Sequence, residues 1–347
     1  MNVSHPTFKS LAIIALTRGG KSLAARLAAK LQAEVIDPQP VGLSATLSDA
    51  WPHYDGLVLI MATGIAVRTI APLLESKRSD PGVVVMDEAG RFAISLLSGH
   101  LGGGNELAHL VAAASGGQAV ITTASDTLGL TAIDLWARHN NLVLAQGSLT
   151  AASSALVNNR RITVFTDLEG PLPSDFLPVS SMEAAELIIS NRMPPTHHAL
   201  ALLCPRNLTL GIGCNRGTSR EEIEQAAMTT CHQHGFNFLA VAQVASIDLK
   251  NDEPGLLAFA AAHGLRQHWY PAGQLNAVPG VTVSSAVQKA TGAKAVAEPA
   301  ALLAAKTSTL LIRKTIWNNV TIALAETPVK LSAAYPSSAP APAASTI

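Results

Sequence analysis

Residues 96–117 read LLSGHLGGGNELAHLVAAASGG. The stretch opens at the end of an apolar run, Phe92 to Leu97, that alternates as a strand does. Gly99, His100 and three successive glycines, Gly102, Gly103 and Gly104, come next. Asn105 and Glu106 then open a helical pattern that places Leu107, Leu110, Val111 and Ala114 on one face, with Asn105 as the expected N-cap and Gly116 as the stop. A strand, a loop without side chains and a bare helix N-terminus form a junction where a large or anionic ligand can lie against main-chain N–H groups. The plainer reading is a tight β–α connection. Three glycines in a row weigh against it, because each loses conformational entropy on folding.

Working outward, three further junctions of the same kind precede or follow this one. Leu11 to Leu16 reads as a buried strand and Ser22 to Leu31 as a helix, with TRGGK between them. Asp55 to Ala62 is a second apolar run, followed by TGI and a helix over 66–74. Ala119 to Thr123 is a strand that ends in ASD before a helix over 130–139. If the strands are mostly parallel, TRGG, ATGI, SGHLGGGN and TTASD share the carboxyl edge of one sheet, where open α/β folds place their ligands. Val83–Met86 and Phe92–Leu97 are expected to pair as a hairpin across DEAG, which gives Asp87 and Glu88 a turn role.

Beyond Asn141 the signals weaken. Residues 161–166 suggest a strand, EGPLPSDFLP a loop and 183–190 a short helix; NRMPPTHH at 191–198 reads as a linker, with His197 and His198 as linker histidines. A second α/β pattern starts at Leu208. Ser219 and Glu222 form a capping box for a helix over 220–230, a strand follows at 239–244, and Asp252 with Pro254 starts a helix that stops at Gly264. Helices at 286–290 and 299–305 and strands near Leu310 and Val320 complete it. The expected fold is therefore α/β, with two open, mostly parallel α/β units (1–140 and 206–330) joined by a less regular middle segment (141–205). A tail over 331–347, rich in Ala, Ser and Pro, is expected to be disordered.

Composition narrows the function classes. Of 347 residues, 48% are hydrophobic and 14% charged, which suits a buried core and excludes global disorder. Lys plus Arg and Asp plus Glu balance at 24 each, so the basic excess of a nucleic-acid or membrane-surface protein is missing. Cys204, Cys214 and Cys231 form no CxxC pair and fit reduced thiols in a cytoplasm. LAIIAL is too short for a signal-peptide core or a membrane span.

SGHLGGGNELA, together with GIGCNRGTSREEIEQA at 211–226, resembles the cobalt-precorrin-5A hydrolases (CbiG) of anaerobic cobalamin biosynthesis. DGLVLIMATGIAVRTIAPLL at 55–74, ITTASDTLGLTAIDLWA at 121–137, IDLKNDEPGLLAFA at 247–260 and GAKAVAEPAALLAA at 292–305 extend the resemblance over roughly residues 10–327. It implies a cytoplasmic hydrolase that opens the δ-lactone of cobalt-precorrin-5A and releases acetaldehyde, giving cobalt-precorrin-5B. The cobalt would arrive on the tetrapyrrole, with no cofactor or metal site of the protein's own. The partner would be this small molecule, not nucleic acid or membrane, and a homo-oligomer with transient contacts to neighbouring pathway enzymes is compatible. Where relatives often carry two basic residues, this chain has Cys214-Asn215-Arg216, which removes one anionic contact.

Lactone opening needs a water, a base and donors for the oxyanion. His100 is the first choice for the base, since imidazole titrates near neutral pH; a histidine that donates to a loop carbonyl is the structural alternative. Glu106 is either a second acid/base or a favourable charge at a helix N-terminus. The N–H groups of Gly103 and Gly104 are the expected oxyanion donors, within a substrate cradle of Gly99, Gly102, Gly103, Gly104 and Asn105. Arg216, with Gly217, Thr218 and Ser219 at a helix N-terminus, is the expected carboxylate anchor. Thr63, Gly64, Arg68, Thr123, Ser125 and Asp126 complete the candidate binding set. Arg68 is included because a cation in a first helical turn is unfavourable unless an anion is near.

Rival readings remain at this level. TRGGKS with Ala15 completes a relaxed P-loop pattern and VVVMDE imitates its acidic strand, but Ala15 and Leu16 belong to the strand and leave too few residues to encircle a phosphate. GIGCNRG is one residue longer than the dinucleotide fingerprint and lacks its acidic partner. A tetrapyrrole carrier without catalysis would need the same cradle as the hydrolase.

Overall fold

The computed structural model describes residues 8–76, 79–100, 102–194 and 198–334. Two compact units meet in the chain between Trp136 and Ala137.

In the first unit the elements run β1 (Leu11–Ala15), α1 (Arg18–Leu31), β2 (Glu34–Ile36), α2 (Leu43–Ala50), β3 (Gly56–Ile60), α3 (Thr63–Ile70), β4 (Gly82–Met86), β5 (Phe92–Leu97), α4 (Gly104–Ser115), β6 (Gln118–Val120) and α5 (Ala124–Thr127), with α6 (Ile133–His139) crossing the division. They build a six-stranded sheet of order β2-β1-β3-β4-β5-β6. LAIIA, GLVLI and GVVVM are buried along their whole length because helices cover both faces. Ile13, Val58, Ile60, Val84 and Met86 pack under Leu23 and Leu27 of α1 and Leu107 and Val111 of α4. The alternate residues, Ile14, Leu57, Leu59 and Val85, pack under Leu47 of α2 and Ala66 and Ile70 of α3.

The hairpin across DEAG forms, and it corrects the shared-edge expectation. Asp87 accepts the N–H groups of Ala89, Arg91 and Phe92 at 2.7–2.9 Å, and Gly90 takes φ +72. β5 therefore returns antiparallel to β4, with Val83 opposite Leu97 and Met86 opposite Ala93, and β6 is parallel to β5. SGHLGGGN and TTASD lie at the edge where β1, β3 and β4 begin, whereas TRGG and ATGI lie at the edge where they end. Five residues of strand, about 16 Å, separate the two sets.

The second unit begins with β7 (Leu142–Gly147), α7 (Leu149–Asn159), β8 (Ile162–Thr166), β9 (Phe176–Pro178), β10 (Leu187–Ile189) and β11 (Ala201–Pro205). The middle segment is thus a sheet in its own right, of order β7-β11-β10-β8-β9. The helix expected over 183–190 is instead the central strand β10, because Leu187, Ile188 and Ile189 are buried between parallel neighbours β8 and β11. NRMPPTHH is the connection between β10 and β11 within that sheet. Its Asn191 is buried and donates to Asn207 and Glu326; His198 is exposed, and His197 lies outside the described residues.

There follow β12 (Leu208–Cys214), α8 (Arg220–Gln233), β13 (Val241–Ile247), α9 (Pro254–Ala262), β14 (Arg266–Tyr270), α10 (Ala272–Asn276), α11 (Ser285–Thr291), α12 (Ala297–Ala305), β15 (Leu310–Ile316) and β16 (Val320–Glu326). The sheet order is β14-β13-β12-β16-β15, with β12, β13 and β14 parallel. Ile322 and Leu324 of β16 face Ile223 of α8 and Phe259 of α9, while Ala323 and Ala325 face the alanine-rich α12. Small residues on both sides bring α12 so close that a Cβ on Gly211 would strike the Ala297 carbonyl. Disorder expected from 331 does not hold for its first residues: Leu331 is buried and donates to Glu169, and Ser332 donates to Asn140. Residues 335–347 lie outside the described residues.

Candidate active site

The glycine loop is shaped by close packing. A Cβ on Gly104 would stand 2.5 Å from the Leu97 carbonyl oxygen, and one on Gly82 would stand 2.5 Å from that of Gly102. Gly103 takes φ +76, a left-handed conformation that glycine enters without strain, and it is the N-cap of α4. The loop's N–H groups close on the loop itself: Gly103 donates to His100 O at 3.0 Å, Gly104 to Ser98 O at 3.0 Å and Asn105 to Gly99 O at 2.9 Å. Both N–H groups expected as oxyanion donors, those of Gly103 and Gly104, are thus engaged within the loop and would have to exchange these partners to serve a substrate.

What the loop does present is His100. Its Nε2 meets Asp126 Oδ2 at 2.8 Å and its Nδ1 meets Asp134 Oδ1 at 3.3 Å. Ser125 Oγ lies 3.3 Å from the same Nε2. Burial, the largest single effect on the ring, would lower its pKa, but the hydrogen bonds and charges of Asp126 and Asp134 together outweigh it and raise the value to about 9. Two carboxylates thus favour the imidazolium form of His100, so the ring expected from the sequence as a base is also placed to serve as an acid.

Asn105 is not the N-cap. It sits one residue inside α4, fully buried, and ties three elements together. Its Oδ1 accepts from Ser95 Oγ of β5 at 2.6 Å, and its Nδ2 donates to Thr123 Oγ1 at 3.2 Å and to Asp126 Oδ2 at 2.9 Å. His100, Asn105, Thr123, Ser125 and Asp126, all candidates from the sequence, thus converge on one cluster. Ser95 and Asp134 join it unanticipated; Asp134 lies inside ITTASDTLGLTAIDLWA but carries no local mark beyond its place in a first helical turn. Glu106 is half-buried in the first turn of α4, where its charge suits the helix dipole. Thr63, Gly64 and Arg68 do not join: Thr63 and Gly64 open α3 at the opposite edge of the sheet, and Arg68 falls in its last turn and not in the first turn expected, so its charge suits the helix dipole without an anion.

That opposite edge also holds TRGGK. Thr17 caps α1 by accepting Gly20 N–H at 3.0 Å, Lys21 pairs with Asp37 at 2.9 Å, and the Glu88 carboxylate occupies the space beside Gly19. A carboxylate where a phosphate would sit, with the lysine turned to another acid, leaves no nucleotide cradle.

In the second unit, the edge at which β12 and β13 end opens into a cavity of about 630 Å³. Arg216 lines it but is held by Asp252 at 2.5 Å and by the Leu249 carbonyl at 2.6 Å. Gly217, Thr218 and Ser219 are engaged elsewhere: Gly217 N–H with Glu253, Thr218 Oγ1 with Asn215 O, and Ser219 Oγ with Glu222 N–H as the expected cap. Of these four anchor candidates only Arg216 borders the cavity. Among the described residues no group of three or more His, Cys, Asp or Glu side chains is placed to hold a metal ion, and no helix is long and apolar enough to cross a membrane.

Residues 45–126 match the model of the cobalamin synthesis G N-terminal region, 131–205 that of the central region and 208–325 that of the C-terminus. A cobalt-precorrin-5A hydrolase of Priestia megaterium is 37% identical over 303 residues, 81% of this chain and 81% of that protein. The chain belongs to the cobalt-precorrin-5A hydrolase (CbiG) family. A second hydrolase of that name, from Salmonella typhimurium, is 33% identical over 87% of this chain and 93% of its own. The crystal structure of a cobalamin biosynthesis protein G homolog from Sulfolobus solfataricus is 20% identical, covers 92% of this chain and 97% of its own, and superposes with a TM-score of 0.36. On the CbiG division, His100 and Asp126 come from the N-terminal match and Asp134 from the central one.

Proposed function

We propose that this chain is a cobalt-precorrin-5A hydrolase, opening the substrate's δ-lactone and releasing acetaldehyde to give cobalt-precorrin-5B. The observation that carries the reading is His100 held between Asp126 and Asp134 as a cation, in a chain of the CbiG family. Water adds to the lactone carbonyl and the acyl C–O bond breaks. The water's proton leaves through Asp134 to solvent. His100 acts first as the acid: its Nδ1 proton, on the longer contact to Asp134, is delivered to the departing alkoxide. The neutral imidazole so formed is then the base for the second step. It takes the proton back from the new hydroxyl as the C–C bond breaks, acetaldehyde leaves and the electron pair stays on the conjugated macrocycle. Asp126 orients the ring through Nε2, and Asn105 holds Asp126.

The cobalt is carried by the substrate in this reading, and the protein supplies acid/base groups and no metal of its own. The cytoplasm is the proposed compartment, supported by three cysteines that are free thiols. Self-association and hand-over to neighbouring pathway enzymes belong to the same proposal and call for a sizing measurement.

The test is to incubate the protein with the lactone-bearing cobalt tetrapyrrole in ¹⁸O-water and trap acetaldehyde promptly. Label is expected in the new carboxylate and not in the aldehyde. His100→Gln is expected to slow opening about 10²–10⁴-fold with substrate binding nearly intact. Binding without acetaldehyde would favour the carrier reading. Label in promptly trapped aldehyde, with none in the carboxylate, would mean cleavage on the alkyl side and end the acyl mechanism.

A further inference from the structure

The cavity in the second unit contains no member of the His100 cluster and needs its own account. Its charged walls are nearly all self-satisfied. Lys250 donates to the buried Glu253 behind the wall at 2.9 Å, and Glu253 also takes Gly217 N–H at 2.8 Å. Glu298, equally buried, takes the N–H and hydroxyl of Thr282 and the backbone N–H of Lys314, which holds the 282 loop and β15 against α12. Arg216 is committed to Asp252.

Lys314 is the exception. Its backbone serves Glu298, but the half-buried residue lines the cavity, and among the described residues its side chain has neither an ion pair nor a hydrogen-bond acceptor. A lysine that lines a cavity with no counter-charge of its own can take a carboxylate in a charge-assisted hydrogen bond. Beside it stands Trp317, whose indole N–H is anchored to Thr230 Oγ1 at 2.9 Å, so the ring is fixed as a wall. Ile247, Val287 and Val296 add further apolar wall. The volume lies within the range of about 300–1,000 Å³ usual for small-molecule sites. It also sits at the carboxyl edge of parallel strands, where open α/β sheets bind ligands.

We infer that this cavity docks the edge of a tetrapyrrole, with Lys314 meeting a carboxylate arm and Trp317 lying against the ring that bears it. The choice of a tetrapyrrole among aromatic carboxylates rests on the function proposed above. The docking can be measured without turnover, so the two readings fail separately.

The full chain would be titrated with uroporphyrin I, a flat octacarboxylate, following the Soret band and tryptophan quenching. A tetracationic N-methylpyridinium porphyrin would serve as the charge-reversed control. Uroporphyrin is expected to bind and the cationic porphyrin not to. Lys314→Gln is expected to weaken binding tenfold or more, and Lys314→Arg to retain it. Trp317→Phe is expected to lose most of the quenching. Ala290→Trp, on the exposed face of α11 where the cavity opens, is expected to block binding without touching the core. Wild-type affinity in both Lys314→Gln and Ala290→Trp would overturn the inference, as would equal binding of the cationic porphyrin. If Lys314→Gln lost uroporphyrin binding yet kept the wild-type KM for the cobalt lactone, the cavity would not be the substrate's dock, and the inference would fall while acetaldehyde release stood.

Discussion

Asn105 donates to Asp126 through the same carboxylate oxygen that His100 Nε2 meets, at 2.9 Å against 2.8 Å. One oxygen therefore receives a fixed amide and the His100 ring, and this sharing, with Asp134 on the other ring nitrogen, positions a histidine that the loop itself carries among glycines. The amide is in turn held by Ser95, so the ring's orientation is set from β5.

Removing the amide should be costly to the fold. Asn105→Ala leaves the Ser95 and Thr123 hydroxyls and the Asp126 carboxylate short of a buried partner, which is expected to destabilise the protein by about 2–4 kcal/mol. Urea unfolding reads this directly, and a loss below about 0.5 kcal/mol would mean that the network is not as closed as described.

Stability should also depend on pH through His100. Its pKa is raised on folding, from 6.5 to about 9, so the stabilisation is fully present below pH 6.5 and is lost as pH rises through 9. The pH-dependent part of the difference between wild type and His100→Gln is expected to reach about 3 kcal/mol near pH 6 and to vanish above about pH 10. A difference that is flat across that window would show that the ring is not held as a cation.

Asp134 raises the same pKa from the other side of the ring. In Asp134→Asn the His100 pKa is expected to fall, and the alkaline limb of the turnover profile should move to lower pH, because deprotonation of the acid then comes earlier. An alkaline limb at the wild-type position would separate Asp134 from the titrating group.

The other edge of the first sheet should be dispensable for chemistry. Lys21→Ala and Arg68→Ala are each expected to keep kcat/KM within about threefold, roughly 0.7 kcal/mol. A hundredfold loss in either, or ATP binding that Lys21→Ala abolishes, would return the TRGGK loop to the functional account.

Much of the fold was legible because the signals were local. β5 is matched residue for residue, and the DEAG hairpin and the Ser219 cap also form as read. The misreadings share one cause. EAAELIIS has no strand alternation, and only burial between β8 and β11 makes Leu187–Ile189 a strand. NRMPPTHH looks like a linker until Asn191 is seen bonded to Glu326 across 135 residues of chain.

The sequence by itself determined that this is an α/β chain with a glycine-rich β–α junction, and its motifs were specific enough to place it beside the CbiG proteins. Which groups meet was decided by tertiary structure. The hairpin expected over 83–97 already implied that β5 runs against β4, yet only the assembled sheet shows that this puts Thr63, Gly64 and Arg68 on the wrong edge and leaves His100 with Asp126 and Asp134. The protonation state of His100 was likewise beyond sequence. An imidazole titrates wherever its neighbours set it, and Asp134, 34 positions away in the chain, becomes a neighbour only when α6 folds back to the loop.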